Sequence, residues 1–101
     1  MDSYPLEYIG HNHNITIFWL MKKPQSYDYH YHRVIFEEGE MADIITVLAR
    51  YLHREDGCAE ENLNNKYYNK YYYKGERAIL HGRYIENQKD FEKFKKLKNF
   101  E

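Results

Sequence analysis

The sequence predicts an α+β fold: a small antiparallel sheet of four to five strands, in the order β-β-(β)-α-β-β-α, with two helices on one face. Three observations predict it. Asn14 to Met21 is dense in β-branched and aromatic residues, which suit a pleated, largely buried strand. Met41, Ile44, Ile45, Leu48 and Leu52 recur at i, i+3, i+4, i+7 and i+11, the stripe of an amphipathic helix. Phe91, Phe94 and Leu97 give a second helical stripe near the C-terminus. At 101 residues the chain has the size of one domain, residues 1–101. A globule of that length buries roughly 65% of its unfolded surface, enough for a modest core without metal or disulfide staples.

Taken in order, Leu6 to Ile9 is an edge strand that turns at Gly10-His11-Asn12-His13. The strand at Asn14 to Met21 follows, and Lys23-Pro24-Gln25-Ser26 breaks it with turn chemistry. From Tyr27 to Phe36 the chain alternates, with Tyr27, Tyr29, Tyr31 and Ile35 on one face and Asp28, His30, His32 and Val34 on the other. Two such runs about a Pro-containing loop predict a hairpin centred near Gln25. That register sets His30 opposite Leu20 and His32 opposite Phe18. The helix over Met41–Leu52, widened by Tyr51, starts in acidic Glu38-Gly39-Glu40 and stops before Gly57. It is expected to lie across the hairpin and seal the core.

Asn62 to Tyr73 supports either a helix or a strand, because Tyr67, Tyr68, Tyr71 and Tyr72 recur at helical spacing. Tyr and Asn are poor helix formers and Tyr is a good strand former. The reading favoured is a strand over Tyr67–Tyr73, a turn at Lys74-Gly75-Glu76 and a strand over Arg77–Ile85. Asn87 followed by Asp90 reads as a capping box for the last helix, docked by Phe91, Phe94 and Leu97. No internal repeat is apparent.

Composition narrows the classes. Twelve tyrosines suit a half-wet surface better than a dry core, since each hydroxyl wants a partner. No apolar run is long enough to span a membrane, and the N-terminus lacks the pattern of a secretory signal. The lone Cys58 fits a reducing compartment, so a cytoplasmic location is expected. The excess of Phe, Tyr, Ile, Asn and Lys over Ala, Gly, Arg and Pro is that of AT-rich DNA. It suits a low-GC bacterium, its phages or its plasmids. Charge is divided along the chain. Residues Met1 to Glu61 hold 11 acids and 5 bases, and Asn62 to Glu101 hold 5 acids and 10 bases.

Catalytic chemistry finds few residues to use. His11 with His13, and His30 with His32, are His-x-His pairs, which on a strand point to one side. His30-x-His32-x-x-x-x-Glu37 resembles the metal motif of cupins over eight residues. The resemblance implies a small metalloprotein with those three ligands, but the second cupin motif is missing. Without it, polar residues on the open face of a sheet explain the histidines, and no cofactor or metal is expected. Cys58 lies among Glu55, Asp56, Glu60 and Glu61, which raise a thiol's pKa. His53, five residues earlier, makes only a weak Cys–His pair by sequence. The five glycines are isolated, so no phosphate-cradling loop exists.

The distinctive piece is the Tyr/Lys segment. Tyr67, Tyr68, Lys70, Tyr71, Tyr72, Tyr73, Lys74 and Arg77 interleave rings with cations. Tyrosine covers much area at low entropic cost, which suits a surface that grips another protein. The function expected is therefore a small non-enzymatic binding protein. A phage- or mobile-element-encoded inhibitor of a host protein, of the anti-defence or anti-CRISPR-like kind, fits its size and composition. Rings can equally stack on unpaired bases while lysines meet phosphates, so a nucleic-acid partner is the alternative. The opposite charge of the two halves is also compatible with a homodimer.

Overall fold

The computed structural model describes residues 3–10, 13–28, 33–36, 41–43 and 48–99. Its centre is β2 (Ile15–Leu20), between β1 (Tyr4–Ile9) on one side and β6 (Glu60–Asn62) on the other, both antiparallel. β1 and β2 run Tyr4↔Leu20 to Ile9↔Ile15, and Gly10 N–H closes their turn on Asn14 O at 2.7 Å. The alternation of β2 sends Phe18 and Leu20 into the core, while Ile15, Ile17 and Trp19 stay half-buried. Beyond the ladder, Met21 N–H donates to Tyr51 O and His53 N–H to Trp19 O, so β2 is flanked over its whole length.

Three expectations fail here. The run Tyr27–Phe36 is not one strand paired with β2. β3 (Ser26–Asp28) pairs antiparallel with β4 (Arg33–Ile35), and β4 pairs with β5 (Met41–Asp43), which makes a separate three-stranded sheet. Leu20 and Phe18 therefore pair with Tyr4 and Leu6 on one side, and Phe18 with Glu60 on the other; His30 and His32, expected opposite them, lie outside the described residues. The helix over Met41–Leu52 is corrected at both ends. Met41–Asp43 is a strand, and Leu52 makes an isolated bridge with Leu20. Residues 44–47 lie outside the described residues. In place of one sheet with two helices, the described residues form several small sheets and one helix. The wider α+β class stands.

The chain after β6 is built from tight turns. β7 (Tyr72–Tyr73) pairs with β8 (Glu76–Arg77), and β9 (Ile79–Leu80) with β10 (Arg83–Tyr84). The loops are Lys74-Gly75 and His81-Gly82, with φ of 51° and 81° in the first and 54° and 77° in the second. Positive φ at both central residues is the signature of the type I′ hairpin turn. Ala78 N–H donates to Tyr71 O and Ile85 N–H to Ala78 O, so each hairpin closes on a seven-residue spacing. This is a structural repeat that the sequence analysis missed, and Gly82 interrupts the strand expected over Arg77–Ile85. α1 (Gln88–Asn99) ends the fold. Asn87 Oδ1 accepts from Asp90 N–H at 2.8 Å, which is the N-cap half of the expected capping box, while Asp90 Oδ2 accepts from the Asn87 side-chain Nδ2 at 3.2 Å rather than from its backbone N–H.

Two apolar clusters result. Phe18, Leu20, Val34, Phe36, Leu48, Leu52 and Ala59 form the first, with Tyr72 packed against it. Ala78, Ile85, Phe91 and Phe94 form the second, with Tyr71 and Tyr73 packed against it. The alternation of a strand explains the split: successive side chains point to opposite faces, so Tyr72 enters one cluster while its neighbours enter the other. Leu97, expected to dock, is instead exposed.

Candidate interaction surface

The Tyr/Lys segment is not the wet strand that its composition suggests. It divides into an exposed tip and a packed seam. Lys66–Tyr68 is a single 3-10 turn, and Tyr67 and Tyr68 are 96% and 62% exposed. Leu63, 58% exposed, stands on the same loop.

Asparagines hold that loop. Asn62 Oδ1 accepts from the N–H groups of Asn64 and Asn65 at 2.9 and 2.8 Å, and Asn62 Nδ2 donates to Thr16 Oγ1 at 3.3 Å. Asn65 Oδ1 accepts from Tyr67 N–H at 3.0 Å, and Asn69 Oδ1 from Asn62 N–H at 2.8 Å. Asn64 Oδ1 accepts from Ile15 N–H at 2.8 Å, tying the loop to β2. Asn side chains that bond to nearby backbone give the chain an alternative to α-helix or ladder, and after β6 ends at Asn62 the loop contains only the 3-10 turn at Lys66–Tyr68. Lys70 closes the loop against β6 through two backbone bonds with Glu60 and an ion pair to its carboxylate at 3.2 Å. A shallow hollow of about 210 Å³ opens between Tyr68, Thr16, Asn62 and the Lys70–Glu60 pair.

The remaining residues of the segment are engaged by the fold. The Tyr71 ring meets Phe91 at 5.0 Å between centroids. Burial pushes its phenol pKa up, with the neighbouring Cys58 adding to the shift and Arg54 opposing it. Tyr73 lies between His53, at 5.0 Å, and Phe94, at 6.3 Å. Lys74 is exposed at its turn but its N–H donates to His53 Nδ1 at 2.9 Å. The Arg77 guanidinium sits 3.7 Å over the Tyr84 ring, linking the two hairpins. Of the eight residues expected in one surface, Tyr67 and Tyr68 stand exposed at the tip and Lys70 is paired with Glu60 at its base, whereas Tyr71 to Tyr73 fill the seam between the clusters.

Cys58 is a buried free thiol and His53 is buried too. Burial, then the Glu61 charge, pushes the Cys58 thiol above its ordinary value, with Arg54 opposing, and a thiol so placed is a weak nucleophile. His53 Nδ1 is occupied by the Lys74 N–H. Arg54 beside them lies 3.9 Å over Trp19 and pairs with Asp56 at 3.1 Å and Glu61 at 3.3 Å. A Cβ at Gly57 would come within 2.9 Å of the guanidinium carbon, so the Arg54 side chain would have to shift to admit one. Among the described residues, no three His, Cys, Asp or Glu side chains gather where a metal could bind. His13 is exposed; His11, His30, His32 and Glu37 lie outside the described residues. No described helix is long and apolar enough to cross a membrane. Compared with known protein families, curated proteins and solved structures, the chain matches none.

The asparagine scaffold and Leu63 were missed from sequence. The signal was the cluster Asn62, Asn64, Asn65 and Asn69 beside Lys66-Tyr67-Tyr68, a density of turn-forming side chains that a strand reading does not use.

Proposed function

We propose that this chain is a non-enzymatic binding protein that grips a protein partner with the tip formed by Leu63, Tyr67 and Tyr68. The observation that supports it is the way Asn62, Asn65 and Asn69 fix the loop while the two rings project outward. Ordering a flexible loop costs affinity, so a loop fixed beforehand binds at lower cost. Rigid aromatic anchors are also what binding hot spots favour. The hollow beside Tyr68 offers a place for a partner side chain next to a charge pair. In this reading the chain is an inhibitor encoded by a phage or mobile element, of the anti-defence kind, which fits its size and AT-rich composition.

A nucleic-acid partner is less well supported at this tip. Lys66 is the one exposed cation within the turn, and Lys70 is already paired with Glu60.

The test is co-purification from the native host with wild-type protein and a Tyr67→Ala/Tyr68→Ala variant. Both rings are exposed, so the variant should keep its far-UV spectrum and melting temperature. The expected outcome is a protein partner held by wild type and lost by the variant. Recovery of the same partner with both proteins, or of none, would reject the reading. Binding to single-stranded DNA that weakens steeply with salt and disappears in the variant would move the tip to the nucleic-acid class.

A further inference from the structure

The second hairpin and α1 leave a surface that the tyrosine tip does not involve. Ile79 and Leu97 are 47% and 56% exposed although both are large and aliphatic. Leu80 and Leu97 line two adjoining hollows, one of about 230 Å³ floored by Phe94 and one of about 390 Å³ edged by His81, Lys93 and Lys96. Because the hollows share both leucines, they form one apolar trough between β9 and α1.

The cations on its rim are not all held in close ion pairs. On the same helix Lys95 pairs with Glu92 at 2.9 Å and Lys98 with Glu76 at 3.5 Å. Lys93 and Lys96 make no ion pair within 4 Å among the described residues, although Lys96 acts on the Glu92 carboxylate from farther off, and with Lys89 they follow the i, i+4, i+7 spacing of one helix face. Exposed aliphatic side chains with ammonium groups at their edge complement apolar side chains next to carboxylates. Such a surface is poorly matched to nucleic acid. The exposed wall offers Ile79 and Leu97, with Phe94 buried beneath it, where unpaired bases would stack on exposed aromatics.

We propose that the trough between β9 and α1 is a docking site for an acidic protein segment bearing aliphatic side chains. Its apolar residues fill the space over Leu80 and Leu97, and its carboxylates meet Lys93 and Lys96. The site shares no residue with the Leu63, Tyr67 and Tyr68 tip, so either can fail without the other.

The probe is a short amphipathic peptide of Glu and Leu, titrated into isotope-labelled full-length protein. Parallel titrations use the same peptide with Gln for Glu, the same peptide with Ser for Leu, and oligothymidylate. The expected result is binding of the Glu/Leu peptide alone, with amide shifts gathered at Leu80, His81, Lys93 and Leu97. Lys93→Glu/Lys96→Glu should weaken it by at least about tenfold, as loss of complementary charge does. Leu97→Ser, at an exposed position that leaves the fold intact, should also weaken it, and Tyr67→Ala/Tyr68→Ala should not. Any of four results overturns the proposal: no binding, shifts gathered elsewhere, equal binding of the Ser peptide or of oligothymidylate, or undiminished binding by the charge-reversed variant.

Discussion

Gly75 and Gly82 occupy the same place in consecutive hairpins, at φ of 81° and 77°, yet they differ in surroundings. A Cβ at Gly75 would lie 2.5 Å from Arg50 O, whereas one at Gly82 meets nothing within 4 Å. Gly82→Ala should therefore cost only the left-handed backbone strain, about 1–2 kcal/mol. Gly75→Ala adds a backbone clash at the point where Gly75 N–H donates to Leu52 O and should cost clearly more. Urea melts of the two variants decide this, and equal losses would show that Arg50 yields freely. Cys58 gives a second prediction at this scale. Its thiol pKa is raised, first by burial and then by Glu61, so the folded state holds the proton more tightly than the unfolded chain. That stability is present below the ordinary thiol value and is lost as pH rises through the folded one. Wild type should lose more stability than Cys58→Ala between neutral and alkaline pH, measured by denaturant melts. Residue-level chemistry was partly legible in the sequence. The acids around Cys58 foretold the direction of its shift, although burial turns out to be the larger cause. The role of His53 as acceptor for the Lys74 N–H joins positions 21 residues apart, and no local pattern announces it.

Elements with local causes were readable, and elements with distant causes were not. The β-branched run of β2, the edge strand before it, the Lys74-Gly75 turn and the Asn87–Asp90 cap each rest on neighbouring residues, and each forms. The alternation over Tyr27–Phe36 was legible too, but alternation does not name a strand's partner. Here Asp28 faces Arg33 within the same run. Met41 carries a helical stripe yet starts a strand, because β4 offers it a ladder, and tertiary pairing outweighs weak intrinsic propensity. The loop Asn62–Asn69 shows the reverse case, in which side chains replace a ladder. Asn62→Ala would leave the N–H groups of Asn64 and Asn65 without their acceptor, at a cost of about 1–3 kcal/mol where those groups cannot reach water. Asn62→Asp keeps the acceptor and loses only the donation to Thr16, so it should be milder. Amide exchange at Asn64 and Asn65 reads the difference directly, and faster exchange in the alanine variant alone is the expected result.

At the scale of the molecule, the two apolar clusters are joined by more than the chain. Tyr72 packs into the first, while Tyr71 and Tyr73 pack into the second. Around that seam Arg54 N–H donates to Tyr72 O, Lys74 N–H to His53 Nδ1 and Gly75 N–H to Leu52 O. Gln88 Nε2 and Lys95 Nζ both donate to Glu55 O, which anchors α1 to the segment that carries these partners. The helical stripe implies one sealed core, whereas the division into two follows from which way three consecutive tyrosines point. Coupling of this kind predicts one cooperative transition. Trp19 reports on the first cluster and the helical signal of α1 on the second, so fluorescence and far-UV circular dichroism should give superimposable melts. Phe91→Ala, a truncation at a fully buried position of the second cluster, should cost about 3–5 kcal/mol and shift both signals together. Leu48→Asp places an unpaired charge in the first cluster and should abolish the α1 signal as well as the tryptophan one. If Phe91→Ala moved only the helical transition and left the Trp19 transition in place, the seam at Tyr71 to Tyr73 would be a hinge between two independently folding units rather than a bond between them.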